Sequence, residues 1–266
     1  MNSSAGISES NRRQLSRLHR HAHGVVDVAE TASLLKLDRV QAAKLLAHWA
    51  AQGWTRRLRR GLYLLIPLEA NSPAEWSTDP WLVAVRLYEP GYIAGWSACE
   101  HWGFTEQVFN DIAVFTSAPI RERRLHIDQF TFAVRKRVKR LMFGTRTVWR
   151  SNTPVQVSDP TRTLLDVLDA PKWGGGIRHV AQICESYFAS THRNDKLLLS
   201  YLKRLNNAAI AKRLGYLLEM TQVESALVER LRRQVTTGYA LLDPSAPARG
   251  RFVSRWRLRI NVELTR

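Results

Sequence analysis

The chain has 266 residues, 45% of them apolar, which suits one large or two modest hydrophobic cores and is too many for a disordered chain. Lysine and arginine number 40 against 23 aspartates and glutamates, a net charge of +17 at a pI near 10.7. Such an excess on a folding-competent chain points to an anionic partner, and the composition excludes a collagen-like chain, a disulfide scaffold and an acidic tail. The two cysteines, Cys99 and Cys184, lie in apolar-patterned stretches without metal-ligand spacing and are expected to be buried free thiols. No apolar run approaches the roughly 18 to 20 residues that span a bilayer, and Met1 to Arg13 is polar, so a cytoplasmic protein without membrane association is expected.

Along the chain, Glu9 to Ala22 reads as a helix that turns Leu15 and Leu18 inward, and Val25-Val26 as a short strand. Asp27, with Glu30 three residues on, has the spacing of a capping box opening a helix over Val28 to Leu35. A tight turn at Lys36-Leu37 follows, and Asp38 caps a second helix from Arg39 to Gln52. At 100° per residue, Ala42, Ala43, Leu45, Leu46, Trp49 and Ala50 gather on one side of that helix, while Gln41, Lys44, His48 and Gln52 form a polar stripe on the other. Two short helices joined this way form a helix-turn-helix, and the stripe fits either a groove-reading face or an ordinary solvated one. Trp54 to Pro67 then reads as a hairpin turning at Arg59-Arg60-Gly61, with Arg56, Arg57, Arg59 and Arg60 crowded into it and no acid between them. A basic wing after two helices shifts the balance toward DNA binding, the arginines meeting phosphates.

Glu69 to Asp79, rich in Asn, Ser, Pro and Thr, marks a boundary. Beyond it, helices are expected at Pro80 to Leu87 and Gly91 to Gly103, and strands at Asp111 to Thr116, Gln129 to Val134, Thr145 to Trp149 and Val155 to Val157. Asp159-Pro160 opens a helix to about Leu168, and Gly176 to Phe188, Asp195 to Leu205, Ala208 to Glu219 and Val223 to Val235 are helical in pattern. The expected fold is therefore α+β: a winged helix-turn-helix over residues 1–70, a linker over 71–80, and a mixed α/β domain with a helical end over 81–266.

In its ordered motifs the chain resembles the AbiEi-type antitoxins and transcriptional regulators of type IV toxin–antitoxin systems. Arg60-Gly61-Leu62-Tyr63 is similar to the end of the family's N-terminal domain, and GYIAGWSACEHWGFTEQ, Gly91 to Gln107, to the opening of its antitoxin domain. VSDPTRTLLDVLDAPKWGGG, Val157 to Gly176, and RLGYLLE, Arg213 to Glu219, resemble later segments of that domain, so the likeness runs from about residue 20 to 225. It implies a protein that binds inverted repeats ahead of its own operon as a repressor and counters a nucleotidyltransferase-like toxin. Its partners would be double-stranded operator DNA and, directly or indirectly, that toxin. A winged-helix regulator whose C-terminal domain serves ligand sensing or oligomerisation is the alternative.

The candidate DNA-binding residues are Arg39, Gln41, Lys44, His48, Gln52, Arg56, Arg57, Arg59 and Arg60, with Gln41 and Lys44 near base edges. A second basic patch, Arg135, Lys136, Arg137, Lys139 and Arg140, fits a nucleic-acid contact, a protein-partner surface or a solvated loop. Asp159, Arg162 and Asp166 fall at helical spacings that favour a structural ion bridge over a catalytic pair. Gly174-Gly175-Gly176 ahead of a helix reads as a close-packed loop, with anion binding the weaker reading. His19, His21 and His23 lack a further clustered ligand, so no metal is expected. No Gly-x-Ser-x-Gly, His-Glu-x-x-His or nucleotide loop occurs, and Glu263-Leu264-Thr265 lacks the lysine of a nuclease motif, so neither catalysis nor a cofactor is expected. The far end, Gly238 to Arg266, is loop-like over Asp243 to Gly250 and reads as an edge strand over Phe252 to Val262, and its Arg249, Arg251, Arg255, Arg257 and Arg259 make a third basic patch of open role.

Overall fold

The computed structural model describes residues 7–22, 24–67, 78–127, 129–150, 152–221 and 225–264. The linker expected over 71–80 lies outside these but for its last three residues, as does His23. The chain is mixed α and β throughout and forms two compact units. One comprises the described residues to Leu87 with Leu125–Thr131 and Val148–Val155; the other comprises Tyr88–Arg124, Phe132–Thr147 and the chain from Gln156 onward.

In the first unit, helix α1 (Glu9–His21) precedes strand β1 (Val25–Asp27), and helices α2 (Val28–Leu35) and α3 (Arg39–Ala51) precede strands β2 (Thr55–Arg59) and β3 (Leu62–Leu65). The three strands form one antiparallel sheet in the order β1-β3-β2. Leu15, Leu18, Val26, Leu46, Trp49, Tyr63 and Leu65 share a core drawn from both helices and sheet. Of these, Trp49 sends its indole N–H to Asn11 Oδ1 at 3.3 Å, which satisfies the one polar atom of a buried ring. Asp27 caps α2 by accepting the Glu30 N–H at 2.8 Å, but the capping box is not completed. The Glu30 carboxylate is instead paired with Arg86, on helix α4 (Pro80–Tyr88).

The longest sheet of the chain has six strands. Its strands are β4 (Gly91–Ile93), β5 (Asp111–Thr116), β6 (Arg124–Ile127), β7 (Phe130–Lys136), β8 (Thr145–Arg150) and β9 (Thr153–Ser158), in the order β6-β7-β5-β4-β9-β8. β4 lies antiparallel to β5 and parallel to β9. The helix expected over Gly91 to Gly103 is thus divided: Gly91–Ile93 joins the sheet and only α5 (Gly95–His101) is helical. Tyr92 and Ile93 are β-formers buried beside β5, and Gly95, at φ +53, breaks the strand before the helix starts.

Helices α6 (Pro160–Asp169), α7 (Ile177–Ala189), α8 (Asp195–Leu205), α9 (Ala208–Met220) and α10 (Ser225–Arg232) follow, and a core that includes Leu164, Leu168, Ile183, Leu202, Leu214 and Leu231 joins all five. Short strands β10 (Ala240–Leu241), β11 (Arg251–Val253) and β12 (Leu258–Ile260) form a second sheet, ordered β10-β12-β11. The single strand expected over Phe252 to Val262 is therefore two antiparallel strands, reversed by a 3₁₀ turn at Ser254–Trp256 and by Arg257 in the left-handed region at φ +49. Trp256 is fully buried against α9, where a methyl group on Gly215 would sit 2.1 Å from its ring, so only glycine permits that approach.

Cys99 and Cys184 are buried free thiols, as expected, and burial pushes both thiol pKa values up. Among the described residues no helix is long and apolar enough to cross a membrane.

Candidate nucleic-acid interface

The turn between α2 and α3 is three residues long. Lys36 closes α2 in the left-handed region at φ +56, and the Leu37 N–H returns to the Ala32 carbonyl at 2.9 Å, a C-terminal capping arrangement. Asp38 then opens α3 through a reciprocal capping box. Its carboxylate accepts the Gln41 N–H at 2.8 Å, and the Gln41 side-chain oxygen accepts the Asp38 N–H at 3.2 Å. Gln41 therefore fixes the helix start with its oxygen, which leaves its amide N–H groups as what it can offer outward.

The apolar side of α3 is buried at Ala42, Leu46 and Trp49, while Gln41, Lys44, His48 and Gln52 are exposed, and Arg39 is exposed at the helix start. Val40, Ala47 and Ala51 share the exposed side, Val40 being 64% accessible. At 100° per residue the outward face from Ala47 to Gln52 covers about 140°. Small side chains alternate there with Lys44 and His48, so nothing bulky keeps the helix backbone from approaching a partner. The helical wheel holds these residues, but polarity alone picks out only the polar half of the face.

The hairpin is tied to this helix by the Trp54 N–H to the Trp49 carbonyl at 2.9 Å, by Thr55 Oγ1 to the Leu46 carbonyl at 3.3 Å, and by an edge contact of the His48 and Trp54 rings. Arg59 pairs with Leu62, leaving Arg60-Gly61 as the tip with Gly61 at φ +79, and a bulge between Arg57 and Arg59 adds twist. Arg57, Arg59 and Arg60 are exposed and none has an acidic partner among the described residues, whereas Arg56 is half-buried.

The second basic patch requires a correction. Arg135 and Arg137 do not belong to an outward cationic surface, because both turn in toward α6. Arg137 is buried, with nitrogens 2.7 Å from Asp166 and 3.0 Å from Asp169, and Arg135 reaches Asp169 at 2.7 Å. Asp166 also holds Arg162 at 2.9 Å and accepts the Tyr92 hydroxyl at 3.0 Å, while Arg162 donates to the carbonyls of Leu141 and Phe143. The alternation of β7 carries on one residue past its end, so Arg135 and Arg137 turn inward while Lys136 between them is exposed. Lys136, Lys139 and Arg140 remain exposed. Burial works against ionised Asp169, yet Arg137, Arg135 and the Asn207 amide outweigh it and hold its carboxyl below the usual range. Burial and the charge of Asp166 push the Tyr92 phenol up.

Other expected groupings are structural. Asp159 accepts the Arg162 N–H at 2.8 Å as the cap of α6 and the Tyr201 hydroxyl at 2.7 Å, so within the expected bridge only Arg162 and Asp166 pair as ions. Burial and that carboxylate push the Tyr201 phenol up to about 12. At Gly174 a methyl group would lie 2.7 Å from Val180, consistent with a close-packed loop. The free N–H at the start of α7 does meet an anion, but an internal one: Ile177 donates to Asp243 at 3.0 Å.

The fold class is mixed α+β. In fold the chain is similar to the crystal structure of the RV2827C protein from Mycobacterium tuberculosis, with a TM-score of 0.65 and 17% identity over 95% of this chain and 92% of that one. No family model and no curated protein matches the sequence.

Proposed function

We propose that this protein is a DNA-binding autorepressor and antitoxin of the AbiEi type, whose first unit is a winged helix-turn-helix. The observation that carries the reading is the outward face of α3 beside a hairpin tip whose Arg57, Arg59 and Arg60 have no acidic partner among the described residues. In this reading α3 lies in the major groove of operator DNA, Lys44 and the Gln41 amide meet base edges, and His48 and Gln52 lie nearer the backbone. Arg39 and the hairpin arginines neutralise phosphates. The role against a nucleotidyltransferase-like toxin rests on the ordered sequence motifs alone.

A mobility shift against the DNA upstream of the gene, with scrambled DNA as control and salt varied, tests the first part. Lys44→Ala is expected to weaken specific binding by about 1 to 3 kcal/mol and relax selectivity, whereas Arg59→Ala should weaken all sequences alike and flatten the salt dependence. Wild-type affinity in both variants would refute the placement. Growth rescue by co-expression with the neighbouring open reading frame tests the antitoxin role.

A second reading, a regulator whose larger unit senses a ligand, is favoured by one observation. A pocket of about 650 Å³ lies between α7 and α9, lined by Cys184, Phe188, Leu217, Met220 and Leu264 among others, a size typical of small-molecule sites. Toxin rescue separates this reading from the first.

A further inference from the structure

We propose that the outer face of the β10-β12-β11 sheet is a binding site for single-stranded nucleic acid, separate from the operator-reading surface. The inner face of this sheet sends Leu258 and Ile260 into the core, so the opposite side chains lie outside it. They are unusual ones. Phe252 is 57% and Tyr239 44% exposed, and their rings meet edge to face at 4.9 Å. Arg259 lies over the Phe252 ring at 5.1 Å and Arg257 over the Tyr239 ring at 5.4 Å, so two guanidinium planes extend two aromatic ones.

The register explains the pairing. Phe252 is the direct cross-strand partner of Arg259, which puts both on one face, and the left-handed backbone of Arg257 closes the turn beside Tyr239. The Arg259 Nε is shielded from water without an acceptor among the described residues, a donor that lacks its partner.

The segment that carries this platform is strongly basic. From Arg230 to Val262 every cation is an arginine, eight in all, and the one acid is Asp243. Asp243 is buried and committed to the Ile177 and Ser245 N–H groups. Arg255 is neutralised by Glu219 and Glu229, which leaves Arg257 and Arg259 flanking the rings without an acidic partner among the described residues.

Exposed rings among arginines match unpaired bases above other polyanions. A duplex keeps its bases stacked inside and offers this surface only phosphates, so the rings would gain nothing. An acidic peptide would satisfy the guanidinium groups but not the ring faces. An unpaired base stacks on a ring or a guanidinium plane while its phosphate takes the charge, whatever its sequence.

Fluorescence anisotropy on the full chain tests this, in an Arg57→Ala/Arg59→Ala/Arg60→Ala background that removes the hairpin contribution. The probes are labelled oligouridine and oligothymidine of about twelve nucleotides and a duplex of the same length, within the usual range of single-strand site sizes. Both single strands are expected to bind more tightly than the duplex, or one of them if the 2′-hydroxyl or its absence matters. Phe252→Ala should weaken single-strand binding by about tenfold, Phe252→Leu should do so with the bulk kept, and Phe252→Trp should restore it. With the hairpin intact, Phe252→Ala should shift operator duplex like the parent, so failure of the operator reading and failure of this one are seen separately. Equal binding of duplex and single strand, or unchanged single-strand binding in Phe252→Leu, would overturn the proposal.

Discussion

Arg137 and Lys139 lie two residues apart in one basic run, and the consequences of removing them are opposite. The Arg137 side chain is 6% exposed between Asp166 and Asp169, so Arg137→Ala leaves two carboxylates buried beside fewer cations and is expected to cost about 3 to 5 kcal/mol. Lys139 is exposed, and its alanine variant should stay within about 0.5 kcal/mol of the parent in urea denaturation. The same cluster sets an acid limit. Because Asp169 is held below its usual range, its contribution is fully present above the unfolded carboxylate value of about 3.9 and is lost as pH falls through the lower folded value. Asp169→Asn should therefore flatten the acid arm of a stability–pH curve while lowering the neutral plateau. Equal acid arms in the two proteins would show that other carboxylates set the limit.

At the scale of the element, α3 combines two demands in Gln41. Its oxygen closes the capping box, and in the proposed complex its amide N–H groups meet a base edge. Gln41→Glu separates the demands, since glutamate at this position keeps the box but removes the donors and adds a charge that phosphates repel. Thermal stability should hold to within about 0.5 kcal/mol while operator binding falls tenfold or more; loss of both would mean that Gln41 acts only through the helix.

The helices of the first unit were legible in the sequence because local signals agree there: Asp27 and Asp38 as caps, the apolar spacing of Leu46 and Trp49, and the Arg60-Gly61 turn. The candidate interface was legible for the same reason, with Gln41, Lys44, His48, Gln52, Arg57, Arg59 and Arg60 all exposed. Elsewhere the deciding partner was distant in the chain. Nothing near Arg137 announces Asp166 and Asp169, so a run that reads as surface charge is partly core. Gly91–Ile93 pairs with β5 more than twenty residues on, and the helix-like pattern around it conceals a strand. The ring platform was hidden similarly, since Tyr239 and Phe252 meet only when the terminal strands reverse at Arg257.

For the whole molecule, the last segment is bound in at three points. Arg213, buried in α9, donates to the carbonyls of Leu241 and Leu242 and, on its other side, to Leu168 at the end of α6. Asp243 caps α7, and Trp256 fills the space that Gly215 leaves open. A chain ending after Thr237 would leave a guanidinium, a helix start and an apolar notch uncovered together. Such a truncation is expected to lose the cooperative unfolding transition of the larger unit by calorimetry, while the Phe252→Ala variant keeps it; a truncated chain that still melts cooperatively would mean the three anchors are dispensable.

The notch at Gly215 also has a consequence in time. Its filling ring lies about forty residues further along the chain, so during synthesis α9 emerges with its groove vacant and can be covered only after Trp256 has left the ribosome. Pausing or premature release between these two points would yield a chain with most of its helices made and an apolar slot open, the form on which a chaperone or a protease would act first.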